Sequence, residues 1–364
     1  MRAEKGGKRG RAMSTWRRTI IGAGMRLFRV SGAHRLAEPF TQGLGAILML
    51  HRVTPDAPRV YDPNRGLEIS TGFLDALLGH LRRGGRRILS IDAALAELRA
   101  PRRDAAPFVV LTFDDGYEDL VHHALPVLER HAAPFTAYVT SGYAEGSARL
   151  WWVELEEAIR RLDQVEILVD GAPFSAPAAT QAQKAKAFES IYWRLRGASE
   201  EELLRVTLLL CEKAGIAPFE LTRDLCLDWD GLARLARCEL ATIGAHSVTH
   251  PRLAKLDAAA ARREMAQSRE AIFARLGVEA RHFCYPVGDP TSAGPREFAL
   301  ARELGFASAV TTRPGVVFAE HRDHLCALPR LSINGHHQSL AAVDILLGGV
   351  PFALVNRGRK VRAA

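Results

Sequence analysis

The sequence predicts a parallel α/β fold, and three observations point to it. Short apolar, β-branched runs alternate with segments of helical period along most of the chain. Several of those runs are apolar on both alternating faces, which suits strands with helices outside and a barrel interior within. The motifs richest in chemistry fall directly after such runs, at strand ends.

Strands are expected at Ala46–Leu50, Phe108–Phe113 and Phe135–Val139. Later ones are expected at Glu239–Ile243, His282–Tyr285, Ala307–Val310 and Leu328–Ile333. Between them Thr71–Arg83, Tyr117–His131, Asp257–Leu276 and Pro295–Leu304 read as amphipathic helices, the third capped by Asp257 and ending before Gly277. Residues 150–227 break the rhythm. Trp151–Ile159, Ala182–Arg196 and Glu200–Ala214 read as helices, with a short Val165–Val169 strand and a Gly171-Ala-Pro turn between the first two. That is too much material for one β-to-α connection, so it is expected to be a helical insertion. The domain plan is a basic arm (1–40), a barrel (41–340) and an apolar then basic C-terminal tail (341–364).

At 364 residues, 48% hydrophobic and 25% charged, the composition is that of an ordinary soluble globular protein. The net charge of +8 invites a nucleic-acid reading, but the charge is segregated. Residues 1–35 hold ten Lys or Arg against Glu4, and Arg357, Arg359, Lys360 and Arg362 sit at the other end. The stretch between holds 35 basic and 40 acidic residues. A nucleic-acid groove needs its basic residues on the folded body, so no nucleic-acid partner is expected. Five cysteines without a CxxC pair argue against a disulfide framework or a zinc ribbon and fit a reducing compartment. The apolar stretch Thr19–Met25 is broken by Arg26, and no run approaches the roughly 20 apolar residues of a membrane span. A cytoplasmic location is the expectation. In the arm, Trp16, Ile20, Ala23 and Leu27 would share one side of a helix with Arg18, Arg26 and Arg29 opposite. Two readings of it stay open: a helix lying on an anionic membrane surface, or a flexible basic segment.

Three motifs carry chemistry. Leu111-Thr-Phe-Asp-Asp-Gly-Tyr117 ends an apolar strand with two adjacent carboxylates, a costly pairing unless they share a cation or a proton. Gly116 would let the chain turn so that Asp114 and Asp115 both face the barrel mouth. Taken alone, the pair also reads as the cap of a helix starting at Tyr117. Gly244-Ala-His-Ser-Val-Thr-His250 places two histidines four residues apart, a spacing that one metal ion needs. One carboxylate and two neutral imidazoles leave open positions for water and substrate, which marks a catalytic and not a closed structural site. Phe283-Cys-Tyr-Pro-Val-Gly288 suggests a rigid turn presenting a backbone N–H, or an ordinary loop turn.

In that order, Thr112-Phe-Asp-Asp-Gly116, His246-Ser-Val-Thr-His250 and Phe283–Gly288 resemble the polysaccharide deacetylases, carbohydrate esterase family four with its NodB-homology domain. The resemblance spans roughly residues 44–335 apart from the insertion. It implies a distorted (β/α)7 barrel, a divalent metal ion, usually zinc, and an N-acetylated glycan substrate. Carried across residue by residue, Asp115, His246 and His250 would bind the metal, Asp114 would be the general base, and the Val287 N–H would help hold the oxyanion. Leu48-Met-Leu-His51-Arg-Val53 resembles the family's histidine segment placed first, as in a permuted exopolysaccharide-type subgroup. His51 is then the expected general acid, with a histidine at the core edge as the plain alternative.

Many members carry an arginine where this chain has Cys284; Arg330, in Leu328-Pro-Arg-Leu331, is the candidate to supply that cation from elsewhere. The insertion is expected to wall one side of a groove, where Trp151, Trp152 or Trp229 would stack on sugar rings or pack in the core; Trp193 is expected in the core. His122 and His123 read as surface or packing residues, and His336 and His337 as possible neighbours of the mouth. Two rival readings remain, a non-catalytic sugar-binding relative and a two-histidine, one-carboxylate iron oxygenase. The second usually places its carboxylate two residues from the first histidine, unlike Asp115. A lipid-linked or newly made glycan is the expected substrate if the arm binds membrane.

Overall fold

A computed structural model describes residues 38–55, 59–102 and 104–363. Seven parallel strands form its centre: β1 (Gly45–Leu50), β2 (Phe108–Phe113), β3 (Phe135–Val139), β4 (Ala241–Ala245), β5 (His282–Cys284), β6 (Ser308–Pro314) and β7 (Leu328–Ser332). β1 hydrogen-bonds to β7 on one side and to β2 on the other, which closes the sheet into a barrel. A two-residue strand, Arg87–Ile88, adds to the start of β2. Every residue of β2 and β3 is buried, as strands must be when helices cover one face and the lumen is filled.

Strand parity decides what faces the lumen. Ile47, Phe108, Val110, Tyr138, Cys284, Val310 and Leu328 form the inner cluster. Their neighbours Leu48, Leu50, Val109 and Leu111 pack outward against helices such as α1 (Thr71–Arg83), which buries Leu74, Leu77, Leu78 and Leu81. Thr112 and Asp114 continue the inward parity of Phe108 and Val110, and Arg330 continues that of Leu328. One face of the sheet therefore runs from an apolar plug into a polar mouth.

The insertion has its own core. Helices α2 (Trp151–Arg161), α3 (Gln181–Gly197) and α4 (Glu200–Lys213) enclose Leu155, Ile159, Ile191, Leu195 and Leu210. A hairpin, Gln164–Val169 with Ala172–Pro177, covers that core with Val165, Ile167 and Val169. The chain leaves the insertion by pairing with the Asp-Asp-Gly loop: Glu118 N–H donates to Leu225 O (2.8 Å) and Leu227 N–H to Gly116 O (2.9 Å). That pairing holds Tyr117 and Glu118 out of the helix expected to begin there, which instead starts as a wide turn at Leu120–Ala124 and continues over Leu125–Arg130. Arg252, buried two residues beyond His250, ties insertion to barrel by donating to Leu195 O (3.1 Å) and Ala198 O (3.0 Å) at the end of α3.

Other differences are local. β4 begins two residues later than expected and β6 runs on to Pro314. The second hairpin strand, Ala172–Pro177, has no apolar alternation to reveal it. The segment expected as a C-terminal tail forms two helices, Leu340–Leu347 and Val350–Val355, with Val343 and Leu347 buried against the barrel. The helix Ala258–Leu276 has the expected ends, with the Asp257 side chain accepting from Ala260 N–H and Gly277 at φ 69°. Among the described residues no helix is long and apolar enough to cross a membrane. The basic arm over 1–35 lies outside the described residues.

Candidate metal centre and active site

Asp115 would point away from the lumen if β2 simply continued. It adopts φ 74° and Gly116 follows at φ 79°, two successive left-handed residues that swing the second carboxylate back to the mouth. The same device recurs in the other motifs: Ser247 (φ 65°), His250 (φ 60°) and Val287 (φ 61°) are also left-handed. Such strain in non-glycine residues persists only where surrounding contacts enforce it, and four of the eight such residues among the described ones lie in these three motifs.

Those turns bring three donors together. His246 Nε2 lies 3.4 Å and His250 Nε2 3.5 Å from Asp115 Oδ1. Candidate ligand atoms of Asp115, His246 and His250 all fall within 4.8 Å of one another. His246 Nδ1 lies 2.7 Å from the Cys284 carbonyl, which fixes the ring so that Nε2 faces inward. Asp115 Oδ1 is buried with no hydrogen-bond donor, an expensive state for a carboxylate oxygen unless a cation meets it. Burial pushes the His250 pKa down to about 3, so its ring offers a lone pair; burial acts the same way on His246, but Cys284, Asp115 and Asp114 around it hold that ring well above its ordinary value. Two imidazoles and one orphaned carboxylate oxygen fit a divalent cation of the zinc type.

Asp114 is different in kind. Arg330 grips both its oxygens, Nη1 to Oδ1 and Nη2 to Oδ2, each at 2.7 Å. The same guanidinium donates to Thr112 Oγ1 (3.0 Å), Thr311 O (2.9 Å) and Cys284 Sγ (3.1 Å). Burial alone would raise the Asp114 carboxyl, but the charge and hydrogen bonds of Arg330 hold it well below the usual carboxylate range. The cation missing at position 284 thus arrives from β7. His51, just past β1, places Nε2 3.9 Å from Asp114 Oδ2.

His51, Asp114, His246 and His250 floor a cleft of about 600 Å3. Val287 lines it, and among the described residues no carbonyl or side chain accepts from the Val287 N–H. One wall is the insertion, through Trp151, Trp152, Phe188, Tyr192 and Trp193; the other includes Asn64, Leu67 and His336. Trp151 and Trp152 are nearly buried, and the Trp152 indole N–H donates to Tyr117 Oη (3.1 Å). Trp193 corrects the expectation of a core residue: it is 50% exposed and lines the cleft. Trp229 packs on the outer core and does not line it. His122 sits on the surface with Glu118, and neither His123 nor His337 lines the cleft. Glu189, Tyr192 and Arg252 were not singled out from the sequence. Glu189 and Trp193 do share a helical stripe four residues apart, the one signal that hinted at them.

Fold and site define a class: a parallel α/β barrel hydrolase with a candidate Asp-His-His metal centre and a second, arginine-bound carboxylate beside it. The polysaccharide deacetylase family profile matches residues 102–308, and the chain belongs to that family of N-deacetylating hydrolases. No curated protein matches the chain by sequence. Among solved structures, the deacetylase PplD of Streptococcus pyogenes, in complex with acetate, is similar with a TM-score of 0.55 at 17% identity, covering 83% of this chain and 97% of that one. IcaB from Ammonifex degensii gives 0.52 at 18%, covering 84% and 98%. BC0361, a polysaccharide deacetylase from Bacillus cereus, gives 0.52 at 14%, covering 83% and 68%. At such identities these likenesses speak for the fold, a closed seven-stranded barrel with flanking helices.

Proposed function

We propose that this protein is a metal-dependent hydrolase that removes N-acetyl groups from a poly- or oligosaccharide, with zinc held by Asp115, His246 and His250. The observation that carries the reading is the division between two adjacent carboxylates. One has a buried oxygen without a donor, facing two imidazoles; the other is saturated by a buried arginine.

A divalent cation at that triad supplies Lewis acidity, polarising a carbonyl and acidifying water. Arg330 keeps Asp114 ionised and fixes its plane, so a proton acceptor is present throughout the neutral range. Asp114 takes the proton from the attacking water. The N–H of Val287, a residue that lines the cleft, donates to the oxygen that gains charge. His51, beside Asp114, gives a proton to the departing sugar nitrogen, without which an amine is a poor leaving group. Aromatic walls thin the water around these groups and strengthen each interaction.

Acetate release from N-acetylated glycans tests the reading. Release is expected to fall on chelation, to return with zinc, and to vanish in Asp114→Asn. Undiminished release after thorough chelation would refute it. The ten basic residues of 1–35 support placing the activity at an anionic membrane surface, on a lipid-linked or newly made glycan. Equal vesicle binding by a chain lacking residues 1–35 would remove that part.

A further inference from the structure

A row of ring contacts leads outward from His250. Its ring centroid lies 4.9 Å from Trp152, which lies 5.8 Å from Trp151; Trp151 stacks on Tyr192 at 5.3 Å, and Tyr192 meets Trp193 edge-on at 5.4 Å. The row begins buried and ends on the half-exposed indole of Trp193. A single exposed aromatic residue on a helix is ordinary, but this one ends a continuous row and lines the cleft that holds the candidate catalytic groups. Ala185, Glu189 and Trp193, spaced by four, share one stripe of α3 and all line that cleft. Ala187, Ile191 and Leu195 of the same helix are buried in the insertion core.

The wall is also held in place. Lys184, buried on α3, donates to Ile159 O (3.0 Å) and Leu162 O (2.7 Å) at the end of α2. Arg252 grips the other end of α3 from the loop that carries His250. Helix α3 therefore keeps a set position relative to the candidate metal centre, and a ligand on it loses little to ordering the backbone.

We propose that Trp193 and Glu189 form a subsite for a sugar beyond the one being deacetylated, so that the enzyme selects glycan chains over single sugars. The inference rests on the deacetylase reading above and adds to it. A pyranose ring presents a flat array of C–H groups that stacks on an indole face, and its hydroxyls project at the rim. The Glu189 carboxylate, one turn away, accepts from such a hydroxyl. It also attracts the ammonium left on a sugar that has already lost its acetyl group.

Calorimetric titration of N-acetylglucosamine oligomers, monomer to hexamer, tests this on the zinc-loaded Asp114→Asn chain, which does not turn them over. Affinity is expected to rise with length. Adding Trp193→Ala should weaken the longer oligomers about three- to tenfold and leave the monomer unchanged, while Trp193→Phe should retain most of the affinity. Glu189→Gln should give a smaller loss of the same kind. Affinity independent of length overturns the subsite, as does hexamer binding untouched by Trp193→Ala or an equal loss for monomer and hexamer. Acetate release by the wild-type chain is read separately. Its absence alongside length-dependent binding would sink the deacetylase reading and spare the subsite; its presence without length dependence would do the reverse.

Discussion

The floor and the wall of the cleft are built on opposite principles. The floor consists of strand ends from the barrel, buried, left-handed at four non-glycine residues and dense with charge. The wall is two helices of an insertion, α2 and α3, regular in backbone and largely aromatic, with Trp151, Trp152 and Phe188 buried and the Trp193 indole left half in solvent. Strain and buried charge belong where bonds change, because such groups must be fixed before substrate arrives. A recognition surface asks only for shape and apolar area, which ordinary helix packing provides. Substitutions in the two regions should therefore fail differently.

The largest effect is expected at the triad. Asp115→Ala or His246→Ala should lose bound zinc in metal analysis and with it nearly all acetate release. Retained metal in both variants would break the comparison at its base. Arg330→Lys comes next. It keeps a charge but loses the fork that orients Asp114, so kcat should fall about 10- to 100-fold with KM little changed. Arg330→Ala leaves Asp114 buried without its partner and should lower stability by about 3–5 kcal/mol in denaturant unfolding. A large change in KM for Arg330→Lys would mean that floor and wall are not separable.

How much of this was legible in the sequence follows the same division. Asp114, Asp115, His246 and His250 stood out because the chemistry demands fixed residue types at fixed spacing next to apolar strands. His51 and Arg330 fall outside residues 102–308, the span matched by the family profile; His51 is legible only through the likeness of Leu48–Val53 to the family's histidine segment placed first, and Arg330 only through the cation that Cys284 does not supply. The wall was mostly illegible. Trp193 and Ile191 are both apolar residues on α3, and periodicity cannot say which stripe meets the core and which meets a cleft. Arg252 was hidden for another reason: apart from Glu200, far away in sequence, its partners are backbone carbonyls, which leave no trace in side-chain pattern. The left-handed Asp115 and Val287 were likewise invisible, because residue identity does not announce a positive φ outside glycine.

A smaller effect should follow from the tie between the two regions. Arg252→Met removes the grip on the end of α3 and leaves Glu200 without its ion pair. KM for long oligomers should rise several-fold while kcat on short substrates holds, read by kinetics against chain length. An equal loss on short substrates would place Arg252 with the floor. The effect with no bearing on turnover lies outside both regions. His321 is buried, with Nδ1 accepting from the Phe318 N–H, and burial lowers its pKa to about 4. Its folded pKa lies below the unfolded value, so it takes no side above pH 6.5. As pH falls toward 4 the unfolded chain binds the proton first, and stability drops by about 3 kcal/mol in all. His321→Asn should flatten that part of the stability profile between those limits without moving the pH dependence of turnover.

The most direct measurement is bound zinc and acetate release, taken together on one preparation each of the wild-type chain and of Asp115→Ala, with folding checked by circular dichroism. The wild-type chain should carry one zinc ion and show release that chelation removes and zinc restores, while the folded variant should show neither. Release by Asp115→Ala at the wild-type rate would contradict the account.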